Sequence, residues 1–427
     1  MIEIIRALEA SPEALRTRQQ ALSESAGRAA AEIIARVRAE GDRAVLELTE
    51  KFDGARLSQL EVTQAEFDEA EAQTDPALKQ LLREAAENIR AFHSRQCAPG
   101  FMLADRPGVV LGQMIRPLER VGLYVPGGTA SYPSSVLMNA IPALLAGVDE
   151  RVMVTPPGKD GKIPPALLTA GRIAGVSRAF KCGGAQAVAA LAYGTESIPR
   201  VDKIVGPGNA YVAAAKRQVY GLVDIDMIAG PSEVLVIAED PKDAAFIACD
   251  MLAQAEHDAL AAAILITPSE KLALAVRARL EEELSRMPRG EIARKSIDDN
   301  GRIVLVETLQ EAVRLSNLIA PEHLELCLDE PFLLLGAVKN AGSVFLGRHA
   351  PEALGDYWAG PNHTLPTGGA ARFSSPLSVE DFVKKTQYIA YDRAALAGAK
   401  EQVVRLAQAE GLYAHARSVA VRFEEEP

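Results

Sequence analysis

From about residue 109 onward, short apolar, β-capable runs alternate with helix-length apolar runs, and few folds accept that pattern. Val121–Val125, Arg151–Thr155, Ala179–Cys182 and Lys203–Val205 read as strands, while Ala166–Ala174, Ala185–Tyr193 and Tyr211–Val219 between and after them read as helices. After Pro231 the pattern resumes. Val234–Ile237, Ala263–Thr267, Ile303–Val306 and Gly342–Leu346 are strand-like, and Lys242–Glu256, Glu270–Met287 and Leu309–Leu318 are helix-like. Alternation at this pitch is the signature of βαβ units wound around a parallel sheet. The expected fold is α/β, with two parallel-sheet lobes. Val109–Met114 is a further β-capable run ahead of them.

The first hundred residues are rich in Ala, Glu and Arg, with helical periodicity over Ala29–Arg38, Arg43–Phe52 and Pro76–Arg95. The last fifty read as mostly helical. Residues 348–376, dense in Gly, Pro and aromatics, suit an ordered functional loop. No G-x-G-x-x-G opens either lobe, so the usual dinucleotide fingerprint is missing.

Composition excludes several function classes. With 427 residues, the chain is long enough for more than one core. Its net charge of −11 argues against a nucleic-acid partner, whose phosphates need clustered cations. The longest apolar run, Ala259–Ile266, is far short of the ~20 residues a membrane helix needs. The first residues lack the basic and long apolar regions of a signal peptide. Four scattered cysteines without a C-x-x-C pair read as reduced thiols, mostly in the core, of a cytoplasmic protein. Cys249 and Cys327 both lie in apolar surroundings.

Reactive residue types gather in a few places. Gly127-Gly128, Gly183-Gly184 and Gly206-Pro207-Gly208-Asn209 each fall between a predicted strand and a predicted helix. Amides at such turns bind anions such as a pyrophosphate, although each turn alone is also what a left-handed backbone needs. Gln254 and His257, three apart in a predicted helix, share a face that is either a metal site or plain solvated surface. Glu322-His323 after Pro321 is either a base beside a water activator or the acidic first turn of a helix. Asp356 and His363 flank the single Trp358 in GDYWAGPNHTLPTGG, and Glu410 and His415 lie five apart in AEGLYAHARS. His93 and His349 lack such context and read as packing or surface residues.

Taken together, VGLYVPGG, YPSSVLMNAIPA, GGAQAVAALAYGT, VDKIVGPGNAYVAAAKRQV, DMIAGPSEVLVIAED, AQAEHD, APEHLEL, GSVFLG, GDYWAGPNHTLPTGG and EGLYAHARSV resemble the histidinol dehydrogenase family, in family order. The resemblance implies two incomplete Rossmann-like domains in an intertwined homodimer whose active site is shared between subunits. The implied segments are 1–25 as an N-terminal helical piece, 26–120 plus 236–375 as a first α/β domain carrying zinc and substrate, 121–235 as a second carrying NAD, and 376–427 as a tail reaching the partner.

The implied reaction is the last step of histidine biosynthesis. L-Histidinol is oxidised to L-histidine by four electrons through a bound histidinal-level intermediate, and two NAD are reduced. Position by position, Gln254, His257, Asp356 and His415 match the ligands of one zinc per subunit. Ser232, Glu322, His323, His363 and Glu410 match substrate contacts, Glu322 and His323 being the acid/base pair. Tyr124, Gln186 and Asn209 match NAD contacts. An imidazole of ordinary pKa near 6.5 suits removal of a hydroxyl proton, and a neighbouring carboxyl suits activation of the water that the aldehyde stage consumes. Two alternatives are a zinc/NAD dehydrogenase of another polar alcohol and a zinc hydrolase that uses Glu322 and needs no nucleotide.

Overall fold

The computed structural model describes residues 1–7, 24–127, 131–228, 230–288 and 290–424. Gly128 and most of the expected segment 1–25 lie outside them. The chain forms two compact units: Met1–Gln96 with Leu118–Phe382, and Cys97–Pro117 with Val383–Pro427.

In chain order the strands are β1 (Glu3–Arg6), β2 (Phe101–Arg106), β3 (Val109–Pro117), β4 (Arg120–Tyr124), β5 (Glu150–Thr155), β6 (Arg178–Lys181), β7 (Lys203–Val205), β8 (Asp224–Ile225), β9 (Glu233–Ala238), β10 (Ala262–Thr267), β11 (Arg302–Leu305), β12 (His323–Cys327), β13 (Ser343–Leu346) and β14 (Val383–Tyr391). The first unit holds two parallel sheets, ordered β6-β5-β4-β7-β8 and β1-β11-β10-β9-β12-β13. Both are wound alike: the first strand is central, the next two lie to one side and the last two to the other. This is the dinucleotide-binding order without its sixth strand, and it reverses between β4 and β7 and between β9 and β12. β1 extends the second sheet from the amino-terminal end of the chain.

Strands covered on both faces read as continuous apolar runs: EVLVIA of β9 and AAILIT of β10 are buried at every position. One face of the five-stranded sheet packs on helices Gly184–Tyr193 and Ala210–Val219, which in turn carry helix Glu24–Glu40 through Ala30, Ile34 and Val37. The other face packs on helices Pro133–Ala146 and Pro165–Ala174, against which Leu82, Ala85 and Ile89 of helix Pro76–His93 are seated. The amino-terminal helices therefore cover the five-stranded sheet, whereas the expected segments grouped residues 26–120 with 236–375. Helices Ala244–Ala255, Glu270–Leu284 and Gly290–Asn300 cover one face of the six-stranded sheet. Leu315 and Ile319 of helix Leu309–Ile319 pack on the other.

Pro142 lies inside helix Pro133–Ala146. It has no N–H for the carbonyl of Met138 four residues earlier. Asn362 Nδ2 donates to that carbonyl at 2.7 Å instead, tying the 360–368 loop to the helix.

The second unit is an antiparallel sheet ordered β14-β3-β2, with helices Arg393–Ala409 and Tyr413–Ala420. Val109–Met114 is thus a strand of this ribbon and not of a parallel lobe. The tail expected to be mostly helical begins with the nine-residue β14. No described helix is long and apolar enough to cross a membrane.

Candidate active site

A cavity of about 620 Å³ lies where the chain leaves the five-stranded sheet and enters the six-stranded one. Pro126 and Gly127 after β4 and Pro207–Tyr211 after β7 line one side. Ser232 just before β9, Glu322 before β12 and His323 at its start line the other, with Gln254, His257, Glu352, Asp356 and His363. The first sheet contributes the carboxyl ends of its strands, the usual edge for ligands in such folds. The second contributes its amino ends.

Of the three glycine turns, the first and third reach this cavity. The Gly183-Gly184 turn follows β6, two strands away from β4, and is not among the lining residues.

Glu322-His323 is not a helix start. Ala320 ends helix Leu309–Ile319 in the left-handed conformation (φ 55°), and His323 opens the buried strand β12. His323 Nδ1 lies 3.0 Å from the carbonyl oxygen of Glu233. A carbonyl only accepts, so Nδ1 carries the proton and Nε2 is the basic nitrogen. Burial holds the imidazole down at about 4, against the pull of Asp356 upward. The ring is therefore neutral at pH 7. Glu322 Oε2 accepts the N–H of Glu233 at 2.8 Å, and burial pushes its carboxyl well above the ordinary range. One residue, Glu233, thus orients both halves of the pair, its N–H holding Glu322 and its C=O holding His323.

Gln254 and His257 do not share a helical face. The helix ends at Ala255, and His257 sits in the turn beyond it with its N–H 3.3 Å from the Gln254 carbonyl. Gln254 is fully buried, and both residues still line the cavity. Donor atoms of His257, Glu352 and Asp356 lie within 4.8 Å of one another, a grouping able to hold a metal ion. Sequence reasoning missed Glu352. The available signal was its spacing: Glu352 and Asp356 are i and i+4 on the helix Glu352–Tyr357, so they share a face. Glu352 Oε1 is also 3.8 Å from His323 Nδ1. His363 is held by Ser135, with Nε2 to Oγ at 3.2 Å, and by Asp356, with Nδ1 to Oδ1 at 3.6 Å. Burial lowers its pKa.

Asn209 caps helix Ala210–Val219, its Oδ1 accepting the N–H groups of Tyr211 and Val212 at 3.0 and 3.1 Å. Tyr124 is buried, accepts the N–H of Gly184 at 3.0 Å, and has its hydroxyl pushed up to about 12 by burial. Gln186 is buried close to Gly184. Glu410 and His415 belong to the second unit, at the end of helix Arg393–Ala409 and in helix Tyr413–Ala420, and are exposed. All residues lining the cavity belong to the first unit.

Cys182 and Cys327 are core thiols, and burial pushes Cys327 up to about 12. Cys97 and Cys249 are exposed, contrary to the core expectation: Cys249 lies on the outer face of helix Ala244–Ala255, whose inner face is Ile247, Ala248 and Met251. His93 is a packing residue bonded to Gln96, and His349 is on the surface.

A neutral imidazole beside a carboxyl, in a cavity at the switch points of two nucleotide-type sheets, defines an α/β enzyme of the nucleotide-dependent class. The family model described as histidinol dehydrogenase matches residues 16–423. Curated histidinol dehydrogenases from Listeria monocytogenes serotype 4b and Bacillus cereus (strain ATCC 10987 / NRS 248) are each 54% identical to this chain. The first match spans 394 residues and 92% of each chain, the second 412 residues and 96% of each. The crystal structure of histidinol dehydrogenase from Elizabethkingia anophelis matches with a TM-score of 0.91, covering 99% of this chain and 98% of that one at 36% identity. The chain belongs to the histidinol dehydrogenase family of NAD-dependent oxidoreductases.

Proposed function

We propose that the chain oxidises L-histidinol to L-histidine in two successive two-electron steps, consuming one water and reducing two NAD, as a cytoplasmic, zinc-dependent homodimer. The observation that carries this reading is the main chain of Glu233, whose N–H and C=O present His323 as a neutral base beside the carboxyl of Glu322.

In the first step His323 Nε2 takes the hydroxyl proton of the alcohol while a hydride leaves its carbon, giving the aldehyde. Glu322 then assists addition of water to the aldehyde. His323 again takes a hydroxyl proton, now from the gem-diol, as the second hydride leaves, and the acid that results ionises. Two NADH and three protons balance the conversion of CH₂OH and water to carboxylate. Bound NAD supplies the hydride acceptor. Asn209 and the turn before it offer a seat for the nucleotide at the β4/β7 switch, and the resemblance adds Tyr124 and Gln186.

The donor set suits zinc: an imidazole at His257, a carboxylate at Asp356 and the buried amide of Gln254 all line the cavity, and His415 is the fourth ligand the resemblance implies. When bound, zinc serves as a template that orients the imidazole and amine nitrogens of the substrate. Ser232 and His363 are further proposed substrate contacts, and Glu410 is the one that only the resemblance implies.

The test is NADH formation from L-histidinol, before and after zinc is removed by a chelator. NADH formation that stops on chelation and returns with zinc is expected. NADH formed equally well from unrelated amino alcohols would favour a different substrate, and turnover without NAD would favour a hydrolase.

A further inference from the structure

We infer that Lys216 and Asp226 are positioning residues that clasp the N–H and the C=O of Gly206 and thereby set the turn on which the nucleotide sits. The inference rests on the reading above that NAD occupies the Gly206-Pro207-Gly208-Asn209 turn.

Lys216 and Asp226 form an ion pair whose side chains are 2% and 1% exposed. Lys216 comes from the helix that the turn opens, and Asp226 follows β8, the strand beside β7. Their remaining valences converge on one residue. Lys216 Nζ donates to the Gly206 carbonyl at 3.0 Å, and Asp226 Oδ2 accepts the Gly206 N–H at 2.7 Å. Asp226 Oδ1 also accepts its neighbour's N–H, that of Met227, at 2.6 Å.

Gly206 needs such a clasp. Its φ is +114°, and a Cβ there would lie 2.0 Å from the carbonyl oxygen of Tyr124 at the end of β4. Gly206 thus packs directly against the end of β4, across the switch point. The next five residues, Pro207 to Tyr211, all line the cavity. A buried ion pair is weak evidence for stability, because its desolvation offsets the attraction and an apolar pair of similar volume often does as well. What an apolar pair cannot do is hold the N–H and the C=O of one glycine at once.

The test is an apolar double variant, Lys216→Met with Asp226→Leu, which removes both charges and both hydrogen bonds to Gly206. A second variant, Asp226→Glu, keeps the charge but moves the carboxylate by one methylene. For each, KM for NAD and for L-histidinol, bound zinc and thermal unfolding are measured. Misplacement of about 1 Å costs up to ~10²-fold. The expected result is a KM for NAD raised about ten- to a hundredfold, with zinc content and KM for histidinol near wild type. A folded variant whose KM for NAD stays within about twofold of wild type overturns the inference. So does failure of both variants to fold, which would make the pair a support of the sheet. Asn209→Asp separates the inference from the reading beneath it. It keeps the helix cap and adds a negative charge at the seat, so it should weaken NAD binding. If it does not, the nucleotide sits elsewhere and the clasp inference falls with the seat.

Discussion

His323 and Glu322 are both held by the main chain of Glu233, yet their proposed tasks are separable. Replacing His323→Asn should slow oxidation of both L-histidinol and the aldehyde by about 10²–10⁴-fold, the usual worth of a general base. Glu322→Gln should slow the aldehyde step more than the alcohol step. Equal losses on both half-reactions in both variants, measured by single turnover, would refute the division. A second carboxyl pair, between helix Ala244–Ala255 and β12, is not part of the cavity lining. Burial raises Asp250 from 3.8 to about 6, with Glu325 as its hydrogen-bond partner, and Glu325 itself is pushed well up by burial. A raised carboxyl means that the folded state binds more protons than the unfolded one above pH 3.8. The stability it contributes is therefore present below 3.8 and is lost as pH rises through about 6. Asp250→Asn should lose less stability than wild type between pH 4 and pH 7 in urea melts. A parallel decline in both proteins would contradict the assignment. Several residues that line the cavity were visible in the sequence because imidazoles and carboxylates cluster there in short motifs. Glu352 and Glu233 were not, since one opens a short helix and the other starts an apolar strand, and only the tertiary fold brings them to His323.

At the scale of elements, the 360–368 loop is fixed by hydrogen bonds to the helices and turns around it. Asn362 supplies the donor that Pro142 withholds from Met138, and its Oδ1 accepts the N–H of Thr364 at 2.9 Å. Thr364 Oγ1 donates to Asn139 Oδ1 at 3.2 Å, and Gly368 N–H to Glu233 Oε1 at 3.1 Å. His363 is carried in this frame. Asn362→Ala strands a buried carbonyl and should cost about 1–3 kcal/mol, with a raised KM for histidinol because His363 shifts. Adding Pro142→Ala returns an N–H to Met138 and should recover part of the stability but not the loop. No recovery in thermal melts would contradict the exchange of donors. The parallel sheets were legible because buried strands such as VLVI and AAILI are continuous apolar runs flanked by helices. β2 and β14 were not. FMLADR is exposed at all six positions, and β14 is exposed at most of its nine, so neither shows an alternating buried face.

For the whole molecule, the second unit leaves large apolar side chains in solvent, with Ile389 76%, Leu406 68% and Tyr413 79% exposed. Exposed apolar surface of this kind fits the homodimer proposed above, and Glu410 and His415 belong to the same unit. If these residues complete the partner's site, mixing inactive His415→Asn and His323→Asn chains under subunit exchange should restore activity. One site of the heterodimer then carries both changes and the other neither. A mixture that stays inactive after exchange is verified by mass would assign His415 to its own chain. Zinc shared between chains would also make dissociation depend on metal. The proposed four-electron oxidation keeps its aldehyde bound between steps, so NADH is counted against histidine in one reaction started with L-histidinol and excess NAD. Two NADH per histidine, with no aldehyde trapped by an added amine reagent, is the expected result. One NADH per histidinol consumed, with free aldehyde accumulating, would contradict it.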